Sequence, residues 1–563
     1  VPDGLDGSYR NPILSADYPD PDVIRDGHDY YMTVSSFHVV PGLPILHSRD
    51  LVNWTLINHA VRRLPPRYDA VQPGCGIWAP AIRKHAGKFW IFYAMPDEGI
   101  FCTTADHPAA PWSEPHLVAP GPGLIDPCPL WDDDGKAYLV HAYAFSRCGI
   151  KHKLHVRPMA PDASRLLGDG QIIFDDPQNH PTIEGPKFYK FNGTYYILAP
   201  AGGVETGWQL ALRSRTPYGP YEHRIVLEQG TTPINGPHQG GLVDTPTGEW
   251  WFIHFQDSKP YGRIAHLQPA RWQDGWPLMG IDHDTNGIGE PVLEHPKPRP
   301  VIGVTASASM AALDTAAEDG FHCEPQTSDD FNTATRHDLL SQQWHWNANP
   351  RPEWHSLSAR PGWLRLFTAP GSCGIANEPL AECPAAADGT SKQPKRDLIH
   401  LPQVLLQKLP CRSFIAETGV EFHPTNSHQR AGFAIIGRQY AALVLRPDHR
   451  VPAPFQGSRL VLELVINGQV VAETELAGHS ARLQIQVRDG GTCTFGYKNP
   501  GGAIEWFPHE FQAIEGVWVG AKIGLFAVHD TPSTTLEEVA DNARRTGHAD
   551  FNYLRFLPPA ASE

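Results

Sequence analysis

No stretch of this 563-residue chain is apolar over the roughly 18–20 residues that a membrane-spanning helix requires, so no helical span is expected. Positive charge is also in short supply: 46 Lys and Arg stand against 61 Asp and Glu, a formal net charge of −15. A chain with that balance has little to offer a phosphate backbone or an anionic bilayer, so neither nucleic acid nor membrane is expected as a partner. Methionine is scarce, and the nine cysteines are spread thinly with none at C-x-x-C spacing. Neither a disulfide framework nor a structural zinc site is therefore supported. The chain opens at Val1 with no initiator Met and no signal peptide. The expectation is a mature secreted chain whose leader has been removed, with a cytoplasmic location as the alternative.

What the chain has is turn residues and rings: 51 Gly, 55 Pro, and aromatics at 10%. That mixture suits many short strands better than long helices. Glycine turns followed by β-branched and aromatic runs recur at Gly27, Gly87, Gly135, Gly193 and Gly248, with spacings of 60, 48, 58 and 55 residues. The Asn192-Gly193 turn is the clearest, because both central residues of a type I′ hairpin need positive φ. A second pair of strands fits in each unit, as in Ile45–Asp50 followed by Trp54, or Leu210–Arg215 followed by Tyr221. Four strands per unit, repeated radially, predict a five-bladed β-propeller over residues 1–300.

Seven to ten residues before each glycine lie Asp20 in Pro19-Asp20-Pro21-Asp22, Trp78 in Trp78-Ala79-Pro80, Asp126-Pro127, Glu184-Gly185-Pro186, and Pro237-His238. The first strand of a propeller blade lines the axis, so three carboxylates, an aromatic and a histidine are expected to converge at one mouth of the channel. Asp22 is a competing candidate for the role given to Asp20. Gly262-Arg263 brings a cation to the same mouth. Asp132, Asp133 and Asp134 read as a solvated turn. Asp282–Gly287 resembles half of a calcium loop but lacks a closing Glu in place and flanking helices, so a surface turn is expected.

Residues 301–320 are rich in Ala, Ser and Thr and are read as a linker. From 321 to 563 short alternating strands return, among them Leu460–Leu464 and Leu483–Val487, and predict a β-sandwich. Residues 383–396 read as a loop.

Two carboxylates across a pocket are the minimum for glycoside hydrolysis: one protonates the leaving oxygen, the other activates water or attacks the sugar. Asp20, Trp78-Ala79-Pro80, Asp126-Pro127 and Glu184-Gly185-Pro186, in this order, resemble glycoside hydrolase family 43, in its β-xylosidase and α-L-arabinofuranosidase form. That resemblance implies an all-β chain, a five-bladed propeller followed by a concanavalin-like jelly-roll sandwich, and an inverting mechanism. It implies Asp20 as general base, Asp126 as modulator of the acid's pKa, and Glu184 as general acid. It further implies Phe37 and Trp78 as aromatic walls, Arg263 as a sugar contact, and His238 as an axial group at the substrate site that also holds a metal or water. Where many members have His after Trp-Ala-Pro, this chain has Ala81. Trp506 and Phe507, read as a loop, are expected to reach over the mouth and favour exo action. No cofactor is needed for such chemistry, although a structural Ca²⁺ between Asp330 and Asp550 is a further expectation. The reading is an exo-acting hydrolase of xylo-oligosaccharides or arabinoxylan. An endo-arabinanase and an inactive carbohydrate-binding protein are the alternatives.

Overall fold

The computed structural model describes residues 2–4, 6–300, 328–332, 339–370, 398–448, 450, 459–529 and 547–559. The expected linker at 301–320 and loop at 383–396 lie outside the described residues. Five four-stranded antiparallel sheets follow one another in the chain. Their first strands are Asp22–Asp26, Ala81–His85, Leu124–Trp131, Lys187–Phe191 and His238–Asp244. In each sheet the strand order is the chain order, as a meandering propeller blade requires.

The predicted hairpin turns hold, but in two forms. Asn192 and Gly193 both have positive φ, at 49° and 72°, and so do Ala86 and Gly87, at 49° and 79°. These are two-residue turns that match the strand twist. Blades three and five instead close over longer loops, pairing Trp131 with Ala137 and Asp244 with Trp250. The longer loop gives Asp132 a task that charge density alone conceals. Its carboxylate is buried and accepts from Lys190 and Tyr195 of blade four, tying neighbouring blades together instead of facing water.

Closure uses the N-terminal segment. Ser8–Arg10 pairs with Glu294–Pro296, Leu14 bridges to Ala265, and the Tyr9 hydroxyl donates to the Leu267 carbonyl at 2.8 Å. The axis below the mouth is filled. Lys187 is fully buried and donates to the Pro80 carbonyl at 2.6 Å, and Arg83 crosses to Asp22 at 2.6 Å. Asp22 also accepts the Ile82 N–H at 2.8 Å. It is thus a strut between blades one and two, so the competing assignment of Asp22 as base is set aside.

The sandwich packs an eight-stranded sheet against a seven-stranded one. Leu460–Ile466 and Ser480–Val487 appear where alternation placed them, one on each sheet. Their inward residues, including Leu462, Leu464, Leu483 and Ile485, share one buried core. That core extends to Tyr261 and Ile264 of the propeller, so the two domains are packed together. Among the cysteines, Cys75 is disulfide-bonded, while Cys102, Cys128, Cys148, Cys411 and Cys493 are free thiols.

Candidate active site

Three blades enter their inner strands through the same unusual conformation. Asp20, Asp126 and Gly185 have φ of 55°, 56° and 56°, and each stands directly before a proline. A residue before proline normally stays extended, and a non-glycine residue at positive φ costs on the order of 1–3 kcal/mol. The aspartates are held there by what their carboxylates grip. Asp20 accepts from the Ser35 hydroxyl at 2.5 Å and from the Arg263 guanidinium at 2.9 Å. Asp126, at a bulge between Ile125 and Cys128, accepts the Gly185 N–H at 2.7 Å.

Glu184 is offset by one residue from this pattern. The left-handed position in blade four is Gly185, which the Gln239 side chain crowds so closely that a Cβ would lie 2.4 Å from its Cγ. The acid therefore sits one place earlier than the aspartates and is aimed differently. Its side chain keeps 24% of its exposure, whereas Asp126 is 2% exposed as a residue. Glu184 Oε1 lies 2.9 Å from His238 Nε2. His238 is itself fully buried, so its ring is enclosed by protein with Nε2 turned to Glu184. Its other nitrogen, Nδ1, has no partner among the described residues.

Burial pushes the Asp126 carboxyl far above the usual carboxylate range, and the neighbouring Glu184 charge pushes it further. The Gly185 N–H opposes the shift, and the more distant Asp20 adds to it.

The walls are aromatic. Phe37 (φ 53°) bridges to Ile77, and its ring lies 6.4 Å from Trp78. A third ring comes from the sandwich. Trp518 meets Trp78 edge-on at 6.3 Å, lies 5.7 Å from the Arg263 guanidinium, and is 46% exposed. The expectation that Trp506 and Phe507 supply this wall is corrected. Both lie in the strand Glu505–Gln512, not in a loop, and Phe507 is buried against Tyr497 in the sandwich core.

The Trp518 loop is fastened by Asp17, which the sequence reading also missed. One Asp17 oxygen accepts the Arg263 N–H and the other the Gly520 N–H, each at 2.9 Å. Gly520 must be glycine, because a Cβ there would stand 2.7 Å from the Gly262 nitrogen. Neither Asp17 nor Trp518 belongs to a motif in the sequence. Their partners lie hundreds of positions away in the chain.

Residues 9–277 match the glycosyl hydrolases family 43 model, and 328–557 match the β-xylosidase C-terminal concanavalin A-like domain. A β-xylosidase of Formosa agariphila is 30% identical over 560 residues, 93% of this chain and 88% of that protein. The chain belongs to glycoside hydrolase family 43. A putative β-xylosidase of Xylanibacter ruminicola is 45% identical over 367 residues, and that match spans 65% of this chain and 64% of the relative. A non-reducing end α-L-arabinofuranosidase of Bacteroides ovatus is 30% identical over 389 residues, 64% of this chain and 65% of that protein. A solved family 43 structure from Bacillus licheniformis superposes with a TM-score of 0.76 at 24% identity, covering 98% of this chain and all of that one, and carries the same fold.

The departure from the family pattern at Ala81 has a structural consequence. Ala81 is fully buried against Ala94 and Ile125 between blades two and three. Its side chain is part of the packing between these blades.

The expected calcium pair is not assembled. Asp329 registers with Leu554, four positions along the strand from Asp550, a separation of roughly 13 Å at strand rise. Asp330 is exposed, while Asp550 is buried between the guanidinium of Arg365, at 2.7 and 2.9 Å, and that of Arg360, at 3.1 Å. His423 and His548 lie beside Asp550. The same two arginines would repel a dication there, and Arg365 depresses His548 next to burial itself. At Asp282–Gly287 the carboxylates accept backbone N–H groups of their own loop, at 3.0 to 3.2 Å, as a surface turn does.

Proposed function

We propose that this family 43 enzyme is an inverting, exo-acting hydrolase. It releases β-D-xylosyl and/or α-L-arabinofuranosyl units from the non-reducing ends of xylan- or arabinoxylan-derived oligosaccharides. The observation that carries the reading is the convergence of Asp20, Asp126 and Glu184 on one mouth beside Arg263, with the sandwich residue Trp518 walling that mouth. An endo-arabinanase needs a groove that runs on past the site, and the Trp518 loop stands against that. A binding protein has no use for three such acids, two of them held in a strained conformation. Names given to the relatives, β-xylosidase and arabinofuranosidase, support the pentosyl class. Xylopyranose and arabinofuranose present similar hydroxyl arrangements, so one pocket can accept both.

In this reading His238 Nε2–H donates to Glu184 Oε1, which leaves Oε2 to carry the proton to the departing glycosidic oxygen. Asp20, oriented by Ser35 and Arg263, takes a proton from the water that attacks the anomeric carbon on the opposite face. Asp126, whose Oδ2 accepts the Gly185 N–H, sets a carboxyl next to Glu184 and is the modulator of the acid in this reading.

The reading is tested by following the anomer of the first product by proton NMR. An aryl β-xyloside should yield α-xylose in the first minutes. β-Xylose would overturn the role of Asp20, and internal cleavage of linear arabinan would overturn the exo assignment. Asp126→Asn should move the alkaline limb of the kcat/KM profile to lower pH. The active form carries the proton, it is lost as pH rises, and removing the neighbouring negative charge makes that loss easier. An unmoved limb would exclude Asp126 from this task. Trp518→Ala should raise KM for xylobiose about 3–10-fold with a smaller change in kcat, the range expected for one aromatic contact.

A further inference from the structure

Behind Asp20, where the domains meet, a small cavity is lined by Asp17, Ser35, Ser36, His345, Lys408 and Lys522. The two lysines come from adjacent sandwich strands, Leu405–Lys408 and Lys522–His529, and are register partners. Like charges directly opposite on neighbouring strands repel, and these two are buried as well. A buried charge is tolerated when it is paired, and buried N–H groups are normally given acceptors.

Protein groups do not complete that balance among the described residues. Lys408 Nζ donates to the Asp17 carbonyl at 2.5 Å and stands 3.7 Å from the centre of the Tyr18 ring. Lys522 Nζ donates to the Gly520 carbonyl at 3.1 Å. These partners are neutral. The one carboxylate facing the pair is Asp17: each of its oxygens accepts a backbone N–H, and Oδ2 makes a long ion pair of 4.0 Å with Lys522 Nζ. The Asp20 charge is matched by Arg263. His38 and His345, held neutral chiefly by burial, supply no counter-charge and add no further positive charge. Ser36 Oγ accepts the Leu43 N–H at 3.1 Å, which leaves its proton free for an acceptor. The surroundings are therefore rich in donors, with two lysines against one carboxylate.

We propose that this interdomain cavity is a binding site for a small monatomic anion, of which chloride is the abundant example, held between the ammonium groups of Lys408 and Lys522 with the Ser36 hydroxyl as a further donor. The space is about that of one water molecule, which excludes phosphate and carboxylate ligands. A bound halide would offset the lysine repulsion and lock the sandwich strands to the segment that carries Asp17 and Asp20. The competing relief is loss of a proton from Lys408, which burial and the Lys522 charge draw down to about 7. In that case the cavity holds water.

Bromide distinguishes the two. Crystals of the whole chain soaked in sodium bromide should show an anomalous peak between the two Nζ atoms at the bromine edge. In solution, Tm should be higher in sodium chloride or bromide than in sodium gluconate at equal ionic strength, by on the order of 2–4 °C. Lys522→Met should remove both the peak and the halide-specific shift. Lys408→Met gives the same comparison if the first variant fails to fold, and the wild-type measurements stand without either. No peak, or a Tm that follows ionic strength whatever the anion, would overturn the site. So would a peak seen at molar bromide with no halide-specific shift in solution. None of these results depends on which sugar the enzyme cleaves.

Discussion

Glu184→Gln should lower kcat by about 10²–10⁴-fold on xylobiose while losing far less on a dinitrophenyl xyloside, because a good leaving group departs without a proton. The amide keeps the size of the side chain and can still accept from His238, so the pocket should survive and KM should change little. What is lost is a proton on an atom aimed at the glycosidic oxygen. The alkaline limb of the pH profile should flatten with it, since the group that loses the proton has gone. Steady-state kinetics on the two substrates decide the matter. Equal losses on both would mean that Glu184 is not the acid. The position of Glu184 makes the contrast sharp: it is the member of the trio whose side chain is partly exposed, whereas Asp126 is buried and accepts the Gly185 N–H.

Asp20→Asn should abolish turnover of both substrates by comparable factors, at least about 10³-fold, because activation of water is needed whatever group departs. The asparagine retains an oxygen for the Ser35 hydroxyl but takes away the charge that faces Arg263. Asp20→Ala should behave worse. It leaves a guanidinium whose side chain is 10% exposed without its carboxylate, and breaking a buried pair from one side costs on the order of 3–5 kcal/mol. A lowered Tm in the Ala variant and a near-native Tm in the Asn variant, with both inactive, would separate the chemical loss from the structural one. An Asn variant that spares the dinitrophenyl substrate would transfer the role of base elsewhere.

The repeat was legible because each hairpin announces itself locally. Asn192-Gly193 and Ala86-Gly87 need positive φ at both positions, and the aromatic runs beside them need a core. The acids were legible because Asp20 and Asp126 occupy the same place before a proline in each repeat, and Glu184 lies one residue from it. Ring closure then carries them to one mouth. Trp506 and Phe507 misled for the converse reason. A Trp-Phe pair followed by Pro reads as an exposed loop, yet Glu505–Gln512 is a strand whose alternate residues, Phe507 and Phe511, turn into the sandwich core.

The sequence by itself therefore determined the five units, the sandwich that follows them, and which carboxylates could meet, since all of these depend on turn chemistry and on the strand period of two. The tertiary structure decided how the acids differ in burial and aim, that His238 serves Glu184, that Asp22 and Asp132 are struts, and that Trp518 walls the mouth through Asp17. Those outcomes rest on hydrogen bonds between residues as far apart as Asp17 and Gly520, and on the exclusion of water around Asp126 and the paired lysines. Local pattern carries no record of either, because the dielectric and the partner of a charged group exist only once the domains have closed upon it.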